Sequence, residues 1–166
     1  MKQYTLLFML ILLTACNSKS EKKAHEEQAD TYIHQAGEVK GNEFVISNLD
    51  IIKSQWEQSI QLSLNGTATL KDFQIKKVIT EGEREEEAYI FQATTNDGVA
   101  KVAALIELKG EKFYFVENPG APRSYRITIC TSNCEKGCDP VVSIVGGEMA
   151  LFCSSCPSCE RIDSTI

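Results

Sequence analysis

The sequence predicts an α+β fold, in which one amphipathic helix packs on a four-stranded antiparallel meander and a small cysteine-rich β-hairpin module follows. Apolar residues recur at helical spacing in one segment, and four later segments alternate with a period of two between tight turns. Six of the seven cysteines lie in the last quarter of the chain. A helix followed by a meander favours two layers, with one sheet face against the helix.

The helix is predicted over residues 48–64. Trp56, the only tryptophan, lies in the middle of its apolar stripe, which favours a core anchor over a ligand-stacking residue. Asn65-Gly66 ends the helix because glycine readily adopts the left-handed conformation. The stripe consists of residues three or four positions apart, namely Leu49, Ile52, Trp56, Ile60 and Leu64.

Four strands are predicted after the helix, and short turns connect them as in a meander. Asn96-Asp97-Gly98 is a strong hairpin signal between the second strand and the third. The first two strands are separated by an acidic run at residues 81–87, which lacks the spacing of a calcium loop and is interpreted as a solvated turn. The four strands are residues 70–80, 89–93, 99–108 and 113–116.

The cysteine-rich segment contains two triplets of cysteines on either side of a predicted hairpin. Residues 141–145 and 148–152 flank Gly146-Gly147, a two-residue turn that brings the two triplets together. The segment is too short to fold on an apolar core alone, so covalent cross-links or a metal must hold it. The first triplet is Cys130, Cys134 and Cys138, and the second is Cys153, Cys156 and Cys159.

Three chemistries fit these six cysteines. An even number of cysteines in an exported chain favours disulfides, although six cysteines allow fifteen connectivities. Zinc is the second alternative, because two cysteine clusters beside a hairpin resemble a zinc ribbon. An iron–sulfur cluster is the third. Cys156-Pro157-Ser158-Cys159 also resembles the active dithiol of thioredoxin-like proteins, but only seven residues follow it.

The first sixteen residues have the layout of a secretory signal, with an apolar segment much shorter than the roughly 20 residues that a membrane span needs. Leu13-Thr14-Ala15-Cys16 resembles the lipobox of bacterial lipoproteins. That resemblance implies that residues 1–15 are cleaved and that Cys16 carries a lipid that anchors the protein in the cell envelope, outside the cytoplasm. Asn17 is compatible with the outer membrane if the source has one.

The rest of the chain divides by composition. Residues 16–40 are polar and of mixed charge, which predicts a lipidated flexible tether. His25 and His34 lie in this segment and are interpreted as solvated tether residues. Residues 41–118 form the predicted helix-and-sheet domain, and residues 119–166 form the cysteine-rich module after a proline-rich boundary.

The charge of the chain and its motif content disfavour several classes of function. With 17 basic and 23 acidic residues and a net charge of −6, the chain is a poor candidate for nucleic acid. No nucleophile-elbow, phosphate-loop or metalloprotease motif is present, so catalysis is not favoured. The prediction is a non-catalytic binding or envelope-assembly lipoprotein, with an unidentified envelope protein or ligand as partner and no expected cofactor. The alternative is a thiol-redox or zinc-binding protein that acts through the cysteine cluster.

Overall fold

The structure is a computed structural model that describes residues 32–64, 68–132, 134, 137–154 and 156–166. Residues 32–166 form one compact unit. The predicted signal peptide, the lipid-bearing Cys16 and His25 lie outside the described residues. No helix in the described ranges has both the length and the apolar character that a membrane crossing requires.

The described residues are mostly β, so the predicted α+β fold class is wrong. They contain a nine-stranded sheet where a four-stranded meander was expected, a second sheet of three strands, and one helix. The elements in chain order are β1 (Gln35–Lys40), β2 (Glu43–Ile46), α1 (Leu49–Leu64), β3 (Leu70–Ile79), β4 (Glu81–Gly82), β5 (Glu87–Thr95), β6 (Ala100–Lys109), β7 (Lys112–Phe115), β8 (Glu117–Asn118), β9 (Ala121–Thr131), β10 (Pro140–Val145), β11 (Glu148–Cys153) and β12 (Glu160–Thr165).

The four predicted meander strands exist as β3, β5, β6 and β7, but they form only the middle of the larger sheet. The sheet branches at β6. One edge of β6 pairs with β5, while the other edge is shared between β9, at residues 100–103, and β7, at residues 106–109. One branch continues from β7 to β1 and β2, and the other continues from β9 to β12. These additional strands account for the difference from the predicted fold.

Helix α1 confirms the predicted helix, and it packs on one face of the large sheet. Trp56 is fully buried and contacts aromatic rings of three strands, with centroid distances of 6.2 Å to Phe73, 5.3 Å to Phe91 and 6.4 Å to Phe115. Its Nε1 donates a hydrogen bond of 3.0 Å to the hydroxyl of buried Tyr125 in β9. Trp56 therefore connects the helix to both branches of the sheet.

The second face of the large sheet is covered by β10 and β11, which form the predicted hairpin. Val142 and Leu151 pack there on Ala88, Ile90 and Ala103. Because alternate residues of a strand point to opposite faces, β5 and β6 contribute side chains to the helix side and to the hairpin side. The described chain therefore has three layers, with the large sheet between the helix and the hairpin.

The tip of the hairpin is held by a residue of the acidic run. Gly146 and Gly147 have φ values of 61° and 80°, as a two-residue type I′ turn requires. Glu83 accepts hydrogen bonds of 2.7 and 3.2 Å from their backbone nitrogens. Beside it, the short strand β4 pairs in parallel with β10. The run that was interpreted as a solvated turn thus also positions the hairpin.

Candidate functional site

The six clustered cysteines all lie within the described ranges, and they form three disulfides there. Each cysteine of the first triplet bonds to the cysteine at the same place in the second, with Cα–Cα distances of 5.6, 6.6 and 5.6 Å. This arrangement confirms the disulfide framework predicted from the sequence and selects one of the fifteen connectivities. The disulfide ladder, as we name it, consists of Cys130–Cys153, Cys134–Cys156 and Cys138–Cys159.

Three strands converge at the disulfide ladder. Cys130 lies near the end of β9, Cys153 is the last residue of β11, and Cys159 directly precedes β12. Strand β12 pairs antiparallel with β9, so that Arg161 stands opposite Cys130. The ladder therefore fastens the base of the hairpin to the β9–β12 branch of the large sheet.

The ladder has a buried part in which two disulfides meet. Cys130 and Cys138 are buried, whereas the other four cysteines are partly exposed. The Sγ atoms of Cys130, Cys138 and Cys153 all lie within 4.8 Å of one another. Since Cys138 is bonded to Cys159 and not to either of the other two, this group combines sulfurs of two separate disulfides.

The segment Cys156-Pro157-Ser158-Cys159 resembles the active dithiol of thioredoxin-like proteins in sequence, but it does not have the geometry of that dithiol. In thioredoxin-like proteins the two cysteines of the motif form a redox pair at the start of a helix. Here Cys156 is bonded to Cys134 and Cys159 to Cys138, and the element that follows is strand β12. The described geometry therefore lacks both the shared disulfide and the helix terminus on which that chemistry depends.

A cleft of about 760 Å³ lies beside the hairpin, between β11 and the second face of the large sheet. It is lined by residues of β5, β6, β9, β10, β11 and β12, together with the segment after β7. The hairpin forms one wall, so the disulfide ladder at its base helps to fix the shape of the cleft. The apolar side chains that line it include Ala88, Leu105, Leu108, Val116, Met149 and Leu151.

The charged side chains around the cleft are divided between its strands. Arg126 on β9 and Arg161 on β12 supply two guanidinium groups on one side. The acidic groups come from the other strands and from β8. The apolar side chains of the cleft form its floor. With positive charges on one side of this floor and negative charges on the others, the cleft is suited to orienting a ligand that has one polar end. The acidic residues are Glu87, Glu107, Glu117 and Glu148.

The arginine side of the cleft is organised around Asp163. Arg161 donates a hydrogen bond of 2.6 Å to this carboxylate and lies 4.7 Å above the ring of Phe152. Thr128 donates a further hydrogen bond of 2.7 Å. Partial burial raises the pKa of Asp163, but the hydrogen bonds from Arg161 and Thr128 outweigh it and hold this pKa below its usual range. The ionised carboxylate offsets one arginine, which leaves one net positive charge at Arg126 and Arg161.

His34 has partners that its place in the predicted tether did not suggest. Its Nδ1 lies 3.1 Å from the hydroxyl of Tyr32, which donates a hydrogen bond of 3.0 Å to Glu117. Burial and the neighbouring Glu117 raise the pKa of Tyr32 to about 12. Glu117 also lines the cleft. These contacts join residues 85 positions apart, which no local sequence pattern reveals.

The sequence does not predict the cleft or its arginines. A usable signal exists in β9, where Arg126 lies between buried Tyr125 and Ile127, so Arg126 points away from the helix side. The position of Arg161 beside Arg126 depends on the pairing of β9 with β12. That pairing is a tertiary feature without a local signature.

The fold and site define a mainly β domain, fastened by three disulfides within its described residues, with a ligand-sized cleft between sheet and hairpin. No protein-family model, curated protein or solved structure matches this chain. Because one fold can host many functions, the function has to be argued from the chemistry of the site.

Proposed function

We propose that this protein is a lipid-anchored, non-catalytic binding protein of the cell envelope, and that its cleft holds a small amphipathic ligand with one anionic group. The observation that carries the proposal is the cleft itself. Its volume of about 760 Å³ falls in the usual range of small-molecule sites, about 300–1,000 Å³. Its lining combines an apolar floor with a few charged groups, which is the usual composition of such sites.

The apolar floor supports an apolar ligand body. Ala88 and Leu151 are buried at the contact between sheet and hairpin, whereas Val116 and Met149 remain 40% and 38% exposed. A ligand that covers these exposed side chains removes apolar surface from water, which contributes about 25 cal/mol per Å² of buried apolar area. The binding free energy therefore comes mainly from this floor.

The arginine side supports an anionic group on the ligand. Arg161 is held by Asp163 and Phe152, so its position is fixed before a ligand arrives. Arg126 is exposed on the neighbouring strand. Guanidinium groups bind carboxylates and phosphates through paired, charge-assisted hydrogen bonds. Glu87 and Glu107 form ion pairs with Lys77 and Lys109. The other two glutamates around the cleft, Glu117 and Glu148, disfavour a ligand with a second anionic end.

The proposed location rests on the N-terminal segment and on the cysteines. The resemblance of Leu13-Thr14-Ala15-Cys16 to a lipobox supports a lipid on Cys16, and a diacylated cysteine holds a protein stably on a bilayer. Disulfides persist in oxidising compartments outside the cytoplasm, so the disulfide ladder supports export independently of the lipobox. The outer membrane is the proposed site if the source has one.

A fluorescent probe with an apolar body and one sulfonate, anilinonaphthalene sulfonate, tests the cleft. We expect one molecule to bind per folded chain and Arg126→Gln to weaken binding about tenfold, because hydrogen bonds to charged groups contribute about 1.5–3 kcal/mol and this one is partly solvated. The measurement is a fluorescence titration in which decanoate displaces the probe.

Arg123→Gln is the matched control, because Arg123 is exposed on the same strand but does not line the cleft. The affinity of Arg123→Gln for the probe should equal that of the unchanged protein. Circular dichroism should show that both variants are folded. Equal losses in the two variants, or no loss in Arg126→Gln, would refute the proposed anionic site.

The anchor is tested by Cys16→Ser. Without the thiol no diacylglycerol can be attached, so we expect the variant to lose the lipid mass and to leave the membrane fraction or remain unprocessed. Intact-mass spectrometry of the purified protein and fractionation of cells measure both effects. Ser18→Ala, just beyond the motif, should be lipidated normally. An unmodified protein that begins elsewhere than Cys16 would exclude the lipid anchor.

A further inference from the structure

The group formed by Cys130, Cys138 and Cys153 places sulfurs of two disulfides in one largely buried spot. We propose that reduction of these two disulfides converts this spot into a site for one thiophilic divalent metal ion of the zinc type. The ligands are the thiolates of Cys130, Cys138, Cys153 and Cys159. The proposal is independent of ligand binding in the cleft.

The two disulfides lie close enough together for their sulfurs to reach the spacing that such an ion requires. Zinc binds thiolates at about 2.3 Å in a tetrahedron, which places the sulfurs about 3.8 Å from one another. The Sγ of Cys138 already lies within 4.8 Å of both sulfurs of the Cys130–Cys153 disulfide, and these two sulfurs separate from their bonded distance when the disulfide is reduced. Cys159 supplies the fourth sulfur, because it is bonded to Cys138 in the oxidised protein; its Sγ is outside the 4.8 Å group and moves towards it after reduction.

Charges around the group favour thiolates. Cys130 has a cation opposite it on each neighbouring strand, Lys101 on β6 and Arg161 on β12. The Lys101 ammonium, which forms an ion pair with Asp139, also lies beside Gly137, the residue before Cys138. Four thiolates and one divalent ion carry two net negative charges. Nearby cations offset part of this charge.

Reduction of the two disulfides consumes two equivalents of a dithiol. Two dithiol molecules each transfer two electrons and two protons, which breaks the Cys130–Cys153 and Cys138–Cys159 bonds and turns the dithiols into disulfides. The four thiols that form release four protons when they bind the metal. The Cys134–Cys156 disulfide is outside the group, so its sulfurs are not needed as ligands whether this bond is reduced or not.

The test uses Co²⁺ as a spectroscopic probe on the full soluble chain, reduced anaerobically. We expect one equivalent of Co²⁺ to bind with the absorption bands of a tetrahedral thiolate site and to be displaced by Zn²⁺. The oxidised protein should bind none. The variant Cys138→Ser/Cys159→Ser should bind at least about a hundredfold more weakly, because it lacks half of the ligands. The matched control, Cys134→Ser/Cys156→Ser, should keep its affinity within about threefold.

X-ray absorption of the zinc-loaded, reduced, unmodified protein provides a second measurement that needs no variant. Four sulfur ligands at about 2.3 Å are expected. Three results would overturn the proposal: the reduced protein binds no Co²⁺, both double variants lose Co²⁺ affinity equally, or the zinc ion has fewer than four sulfur ligands. None of these results depends on the probe titration of the cleft, so the two proposals can fail separately.

Discussion

Trp56→Ala is expected to lower the free energy of unfolding by about 3–5 kcal/mol, the range of large aromatic truncations in packed cores. Trp56 is fully buried between helix and sheet, and the rings of Phe73, Phe91 and Phe115 surround it. Its removal also leaves the buried hydroxyl of Tyr125 without the hydrogen bond from Nε1. An unsatisfied buried polar group adds its own desolvation cost.

Denaturant unfolding followed by far-ultraviolet circular dichroism measures this effect, because the variant removes the only tryptophan. Trp56→Phe keeps a ring but loses the hydrogen bond, so an intermediate loss is expected. Leu62→Ala is the control on the same helix, because Leu62 is 77% exposed and its loss should stay within about 0.5 kcal/mol. A loss below about 1 kcal/mol for Trp56→Ala would contradict its role in the core.

Removal of the Cys130–Cys153 disulfide, of which Cys130 is fully buried, by Cys130→Ala/Cys153→Ala is expected to lower the free energy of unfolding by about 2–3 kcal/mol. One bond that closes a loop of this length contributes about 3 kcal/mol when it acts alone. The other two disulfides close nearly the same loop, so they already restrict the unfolded chain of this variant. The entropic contribution of Cys130–Cys153 to the free energy of unfolding is therefore smaller than that of a single disulfide. The cavity left by the sulfur of buried Cys130 adds to the loss.

Removal of the more exposed disulfide by Cys134→Ala/Cys156→Ala should lower the free energy of unfolding by about 1 kcal/mol, because its sulfurs are partly exposed and leave a smaller cavity. Thermal unfolding of the two variants under non-reducing conditions gives the comparison. Equal stability of both variants and the unchanged protein would show that the ladder does not support the fold.

Strong local periodicity explains which elements the sequence predicts. The apolar stripe around Trp56 marks helix α1, and the two-glycine turn at Gly146-Gly147 marks the hairpin. Strand β1 has the sequence Gln-Ala-Gly-Glu-Val-Lys, in which Ala36 is the only fully buried apolar side chain. Strand β12 has a single apolar residue, Ile162. Such polar strands are held by backbone pairing to neighbours that the local sequence does not specify.

The same reason limits the prediction of the site. An even cysteine count in an exported chain favours disulfides, but the connectivity depends on how β9, β11 and β12 meet. The cleft is assembled from strands that are distant in the sequence, so Arg126 and Arg161 come together only after β9 pairs with β12. The branching of the sheet at β6 creates this neighbourhood, and it has no local sequence signature.

The central claim is that the protein carries its hairpin beside the cleft, fastened by the disulfide ladder, and that it is exported as proposed. Disulfide mapping of protein isolated from the membrane fraction, with free thiols alkylated at harvest, tests it most directly. Cleavage after Glu148 separates Cys138 from the second triplet, and fragmentation resolves the rest. We expect no alkylated cysteine among the six and the three linked pairs Cys130–Cys153, Cys134–Cys156 and Cys138–Cys159. Six alkylated cysteines, or a bond between Cys156 and Cys159, would contradict the claim.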